Sequence, residues 1–265
     1  MDRAKRRFFG LSFDPERRMF QITVQLKDTP GALADVLQAV RGHIDVTGCV
    51  AYSTGDGKAV FSGFARALDK QLTEGSLKTL LTNSRAVQDV WVSASQDGLL
   101  VDGFHTGIES DLGENYILMP VNGMSETYER LIDILGSGGE SILYDEGVSS
   151  GKVNAQYFVD RLGVGIVRQK LGQILMLYGA MGWGNPEIKE EGYGAEFTIR
   201  IVNCFECTTG RSARQYCSFQ RGHLTGLISG IFDTTFETTE TRCRFRRDPF
   251  CEFKLVQKSG RRIEG

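Results

Sequence analysis

The sequence has no apolar run approaching the about 20 residues that a membrane-spanning helix needs. It also lacks the apolar core of a secretion signal, because Phe8 and Phe9 are soon followed by polar residues. Both absences lead us to expect a cytoplasmic protein. Nor is there an excess of charge of one sign. The formal net charge of -2 gives no general reason to expect nucleic-acid binding, and the basic cluster Arg3, Lys5, Arg6 and Arg7 reads as a solvated N-terminal arm. A Walker-type phosphate loop, a helix-turn-helix pattern and a paired nucleophile and base are all missing. The expectation is therefore a protein that is not an enzyme and does not read DNA through a familiar motif.

What is present suits two ordinary globular domains: 265 residues, 41% apolar and 24% charged. Six cysteines without a secretion signal favour metal binding or free thiols over disulfides.

From Arg18 to about Ser95 the pattern is strand, helix, strand, strand, helix, strand. Phe20, Ile22, Val24 and Leu26 alternate with polar residues, as in a half-buried strand. Asp28-Thr29-Pro30-Gly31 breaks that strand and opens a helix carrying Leu33, Val36, Leu37 and Val40 at helical spacing. Gly42 ends the helix, and a strand runs from Val46 to Tyr52. Gly55-Asp56-Gly57 reads as a hairpin turn. A return strand from Ala59 to Ala65, a helix with Leu77, Leu80 and Leu81, and a strand from Val87 to Ser93 complete the unit. This βαββαβ order, with Asp-Thr-Pro-Gly-Ala-Leu at the first strand-to-helix junction, resembles the ACT domain, a ferredoxin-like fold. The resemblance implies an amino-acid effector contacting Asp28 and Gly31 at a dimer interface. The residues alone equally allow Asp28 to cap the helix, with Pro30 near its first turn. Cys49, alone in a predicted strand, reads as a core residue, and His105 as a packing or surface residue.

Residues 1–95 thus form the expected ACT-like domain, 96–112 a connector, 113–258 a second domain of mixed α/β type with a mainly antiparallel sheet, and 259–265 a tail. In the second domain Met124, Tyr128, Leu131 and Leu135 predict an amphipathic helix stopped by Gly136 to Gly139. Ser141 to Asp145 reads as a short buried segment, and a long helix is predicted from about Asn154 to Met181. Gly182 to Pro186 breaks it. Phe197, Ile199 and Ile201 predict a strand, Leu224, Leu227, Ile228 and Ile231 a helix, and two last strands surround Cys243 and Cys251.

Cys217, Glu240, Cys243 and Cys251 carry the chemistry of this domain. A turn at Arg246-Arg247-Asp248-Pro249 doubles the chain back so that Cys243 and Cys251 can reach one ion. Three thiolates and a carboxylate satisfy tetrahedral zinc and leave no open position, as in a structural site. Spacing alone also allows the cysteines to be buried as small apolar residues. Cys204 and Cys207 fall at the end of an alternating strand, where residues three apart point to opposite faces and cannot share an ion. A turn beginning at Cys204 would let Cys207 replace Glu240.

Cys217, Gly222, Gly226, Glu240-Thr-Arg-Cys243 and Cys251 together resemble the 4-vinyl reductase-type ligand-binding domain. That domain occurs in phenol- and xylene-responsive regulators and in a bacteriochlorophyll synthesis protein. The resemblance spans about residues 113 to 257. It implies zinc on Cys217, Glu240, Cys243 and Cys251, with Glu240 preferred to Glu237. It also implies an apolar pocket for an aromatic, hydrocarbon or lipid-like ligand. Tyr157, Phe158, Leu177, Tyr178, Trp183, Phe197 and Phe219 could line such a pocket or simply fill the core. Arg221 and Thr238 stand where the phenol sensors have tyrosines, which argues against phenol itself. The implied function is sensory or regulatory, in a homodimer acting through a protein output partner. The alternatives are an enzyme or accessory factor of tetrapyrrole or vinyl reduction and a lipid-binding assembly protein.

Overall fold

The computed structural model describes residues 10–191, 194–207 and 217–258. The basic arm at Arg3 to Arg7 and the tail at 259–265 lie outside the described residues. The chain divides into two units, residues 1–108 and 109–265, with the division inside the expected connector.

The first unit contains β1 (Leu11–Phe13), β2 (Met19–Lys27), α1 (Ala32–Ala39), β3 (Ile44–Ser53), β4 (Lys58–Ala67), α2 (Glu74–Thr82), β5 (Val87–Ala94) and β6 (Leu99–Val101). Its main sheet has the order β3-β4-β2-β5 and every pair is antiparallel. Phe20, Ile22, Val24 and Leu26 pack with Val36, Leu77 and Leu81 of the two helices. The hairpin forms as expected, with Gly55 and Gly57 both at φ +79°. A reciprocal cap between Thr73 and Ser76 starts α2.

Three expectations change here. β2 is buried on both faces, because β1 and β6 pair across the second face and Leu100 packs on Met19 and Phe64. Its polar residues are buried in pairs instead of solvated: Thr23 and Ser62 hydroxyls lie 2.8 Å apart, and Gln21 Nε2 donates to Asp102 Oδ1 at 2.5 Å. Cys49 is exposed, since β3 is an edge strand. Asp28 does not cap α1; Gly31 occupies that position at φ +90°, and Asp28 accepts a hydrogen bond from Ser53 Oγ at 2.6 Å. His105 packs as expected, with Nδ1 2.8 Å from Asp102 Oδ2.

The second unit follows the paired two-residue strands β7 (Ile108–Glu109) and β8 (Asn115–Tyr116). It contains α3 (Val121–Leu135), α4 (Ser137–Leu162), α5 (Val164–Gln169), α6 (Leu171–Ala180), β9 (Asn185–Glu191), β10 (Glu196–Val202), α7 (Ser218–Phe232), β11 (Phe236–Arg242) and β12 (Cys251–Gln257). The sheet is antiparallel throughout, in the order β11-β12-β10-β9. Two-residue alternation turns Phe197, Ile199 and Ile201 of β10 and Cys251, Phe253 and Leu255 of β12 into one core with α7.

The helical part departs from the sequence reading. Gly136, at φ +58°, ends α3, but α4 starts at the next residue and runs without a break through Ser141–Asp145 and Asn154 to Leu162. Gly163, at φ +83°, then divides the expected 154–181 helix into the ends of α4, α5 and α6. The glycines within α4 are not breaks; they are the contact surface. A Cβ on Gly147 or Gly151 would collide with backbone atoms of α7, and one on Gly222 or Gly226 with the carbonyl oxygens of Tyr144 or Val148 on α4. The two helix backbones touch, and only glycine permits it. Strand β9 has no counterpart in the sequence reading, because its charged residues mask the half-buried Ile188 that packs on the core. Among the described residues, no helix is long and apolar enough to cross a membrane.

Candidate metal centre

Four short elements converge on one buried point. β10 ends at Val202, Asn203 turns at φ +59°, and a 3-10 turn over Phe205–Cys207 reverses the chain, with Cys207 N–H donating to the Cys204 carbonyl at 3.1 Å. The strand therefore stops before the cysteine pair. Cys204 and Cys207 face the same side, which reverses the expectation for an extended segment. Cys217 precedes the first turn of α7. Glu240 lies on the inner face of β11 with Phe236 and Thr238, whereas Glu237 points outward to Lys258 at 3.5 Å. Cys243 follows a register shift between Glu240 and Arg242, and Cys251 opens β12. The intervening turn forms where expected, held by Asp248 Oδ2, which accepts from Cys243 N–H at 2.8 Å.

All five of these cysteines and Glu240 are buried. Two overlapping donor groups arise: Cys217, Glu240, Cys243 and Cys251; and Cys204, Cys207, Cys217 and Cys251. Within each, the donor atoms lie within 4.8 Å of one another. The expected set is thus brought together, and two further thiols join it. Burial pushes the Cys217 thiol well up, while hydrogen bonding from neighbouring thiols, Cys204 first, pulls Cys251 down. One thiolate among several thiols is the metal-free state, and a cation would draw protons from the rest.

Glu240 Oε2 accepts from Cys217 N–H at 2.8 Å, and Oε1 has no hydrogen-bond partner among the described residues. Burial, with the nearby Cys243, pushes its carboxyl up to about 9. A closed cage of soft thiolates with a buried orphan oxygen fits a tetrahedral zinc and leaves no position for a reacting water.

Above this cluster stands an aromatic shell. Glu206 caps α7 by accepting from Phe219 N–H at 3.3 Å and Gln220 N–H at 2.6 Å. His223 is fully buried, its ring 4.9 Å from Trp183, 5.1 Å from Tyr178 and 6.1 Å from Phe219. Neither ring nitrogen of His223, nor Gln220 Oε1, has a partner among the described residues. Burial lowers the His223 pKa to about 3, so the ring is neutral. A small cavity beside them is lined by Tyr178, Trp183, Leu175, Ile201, Gln220 and Leu224. Of the aromatic residues considered from sequence, Tyr178, Trp183 and Phe219 belong to this shell. Phe197 packs instead with Phe232 and Phe236, and Leu177 is partly exposed. Arg221 lies over the Tyr144 ring at 4.9 Å, and Thr238 Oγ1 accepts from Thr225 at 2.6 Å. Sequence reasoning misses His223, Gln220 and Glu206. Their signal is polarity inside segments otherwise read as apolar or as loop.

Residues 197–257 match the vinyl-4-reductase (V-4-R) domain family. The matched segment contains Cys204, Cys207, Cys217, Glu240, Cys243 and Cys251. A comparison with curated proteins finds no match. Among solved structures, the phenol-responsive sensory domain of the transcription activator PoxR, bound to phenol, is 18% identical, with a TM-score of 0.45 over 55% of this chain and 78% of that one. A trafficking protein particle complex subunit 3 from Naegleria fowleri, covalently bound to palmitic acid, is 13% identical, with a TM-score of 0.42 over 52% and 95%. A vinyl-4-reductase family protein from Methanocaldococcus jannaschii is 19% identical, with a TM-score of 0.38 over 54% and 85%.

Proposed function

We propose that this chain is a small-molecule-binding sensory or regulatory protein and not an enzyme. Its second unit, which carries the vinyl-4-reductase-type match, holds an aromatic, hydrocarbon or lipid-like ligand, and a structural zinc ties the sheet to α7. Cys217, Cys243 and Cys251 supply three thiolates, and the pattern of the phenol sensors assigns the fourth bond to Glu240. Zinc in such a site cross-links the fold and supplies no reactive water. The first unit is an ACT-type module that takes an amino acid at Asp28 and Gly31. The protein works in the cytoplasm as a homodimer through a protein output partner.

The observation that carries the ligand reading is His223. A neutral imidazole buried with both nitrogens unpartnered costs stability unless something else uses them. Flat aromatic neighbours around such a group suit a planar or apolar ligand with one polar atom. Native mass spectrometry of the purified protein tests this, together with titration of phenol, indole and palmitate followed by Trp183 emission in a Trp91→Phe background. A co-purifying molecule, or saturable quenching that weakens in His223→Phe, is the expected result. No bound species and no response to any of the three compounds would rule the reading out.

A further inference from the structure

The cluster offers six donors to an ion that takes four. Which four it takes is decided by distance and by ligand softness. Sulfurs about 2.3 Å from one tetrahedral ion stand about 3.8 Å from each other. Cys207 Sγ lies 3.1 Å from Cys217 Sγ, 3.5 Å from Cys251 Sγ and 3.8 Å from Cys243 Sγ. Cys217 Sγ lies 3.8 Å from Cys243 Sγ and 3.7 Å from Cys251 Sγ. These are separations for one shared ion, and they are too short to enclose a multi-iron cluster. Cys204 comes within 3.8 Å of Cys217 from outside that group.

We propose that Cys207, and not Glu240, makes the fourth bond, giving an all-thiolate site of Cys207, Cys217, Cys243 and Cys251. The proposal rests on the zinc reading above and departs from the sensor pattern at this one position. Thiolate is the softer donor and is already in place. Glu240 serves the site differently, because its Oε2 holds the Cys217 N–H at 2.8 Å and so orients a ligand at the start of α7. Cys204 is a spare thiol beside the site.

This assignment ties the metal to the aromatic shell. Cys207 ends the 3-10 turn that begins at Phe205, and Phe205 lies 5.6 Å from Trp183 and 6.0 Å from Phe219. A bond to Cys207 therefore anchors one wall of the shell, whereas a bond to Glu240 would leave that turn unanchored.

The test uses the full chain. Zinc X-ray absorption on the protein as purified should give four sulfurs at about 2.3 Å; three sulfurs with one oxygen near about 2.0 Å would overturn the proposal. This measurement needs no variant to fold. In the cobalt-substituted protein, Cys207→Ser should lose about a quarter of the sulfur-to-cobalt charge-transfer intensity and shift Trp183 emission, one thiolate of four being gone. Glu240→Gln and Cys204→Ser should retain it. Loss of intensity in Cys204→Ser with none in Cys207→Ser, or altered cobalt ligand-field bands in Glu240→Gln alone, would refute it. If the purified protein contains no metal and the metal-free form takes up no cobalt, the zinc reading fails as well; metal with the wrong donor count defeats only the Cys207 assignment.

Discussion

The two units bury polar groups in opposite ways. In the first, Thr23 meets Ser62 and Gln21 meets Asp102, each buried group answered by another side chain. In the second, His223, Gln220 and Glu240 each keep a buried polar atom with no partner among the described residues, all close to the start of α7 or to the cysteines beside it. Residues of the same chemistry thus serve structure in one unit and are left available in the other. Unanswered polarity costs about 1–3 kcal/mol per group, so its concentration in one place marks where a ligand or ion belongs.

The contrast is broken most severely by removing the metal. Chelation, or Cys243→Ser, should lower the stability of the second unit by more than about 4 kcal/mol, as loss of a tightly held ligand of the folded state requires. Thermal melting followed by Trp183 emission in a Trp91→Phe background checks this. The converse variant, Trp183→Phe, reports the first unit through Trp91 and should melt unchanged. Equal sensitivity of both tryptophans, or none, would contradict the assignment of the metal to the second unit.

The glycine contact comes next. Gly226→Val places branched carbons where the Val148 carbonyl of α4 lies, and neither backbone can retreat without breaking its own helix. We expect a loss of about 3 kcal/mol or more, read by urea unfolding. A comparable change at Gly165, where a Cβ would meet nothing within 4 Å, should cost no more than the helix propensity of valine dictates. Similar costs at the two sites would show that α4 and α7 are not in backbone contact.

Much of this is legible in the residues. Two-residue and helical periods locate all four strands of the first unit's main sheet and both its helices, and the alternation of β11 separates inward Glu240 from outward Glu237. The failures share a physical origin. Gly147 and Gly151 look like helix interruptions because propensity counts only local cost, whereas their benefit is a neighbour far away in sequence. Cys204 and Cys207 look divergent only if alternation is carried past the end of β10, where a single left-handed residue, Asn203, starts a turn. His223 lies among glycine and leucine on α7, and no local pattern announces that its nitrogens go unanswered.

That histidine also gives the smallest and most discriminating effect. Its folded-state pKa of about 3 lies below the ordinary 6.5, so the unfolded chain takes a proton that the folded chain refuses. The contribution of neutral His223 is therefore complete above pH 6.5 and is lost as pH falls toward 3. The slope is about 1.4 kcal/mol per pH unit, or about 2 kcal/mol by pH 5. His223→Phe removes the titration, and the difference in stability between wild type and variant should grow in the variant's favour over that range. Acid release of metal affects both proteins and cancels in the difference. Parallel stability curves from pH 7 to pH 5 would mean that His223 accepts a proton inside the fold, and the aromatic shell would then have to contain a partner for it. A ligand that accepts a hydrogen bond from His223 should steepen the dependence further, because its affinity would be tied to the same neutral ring.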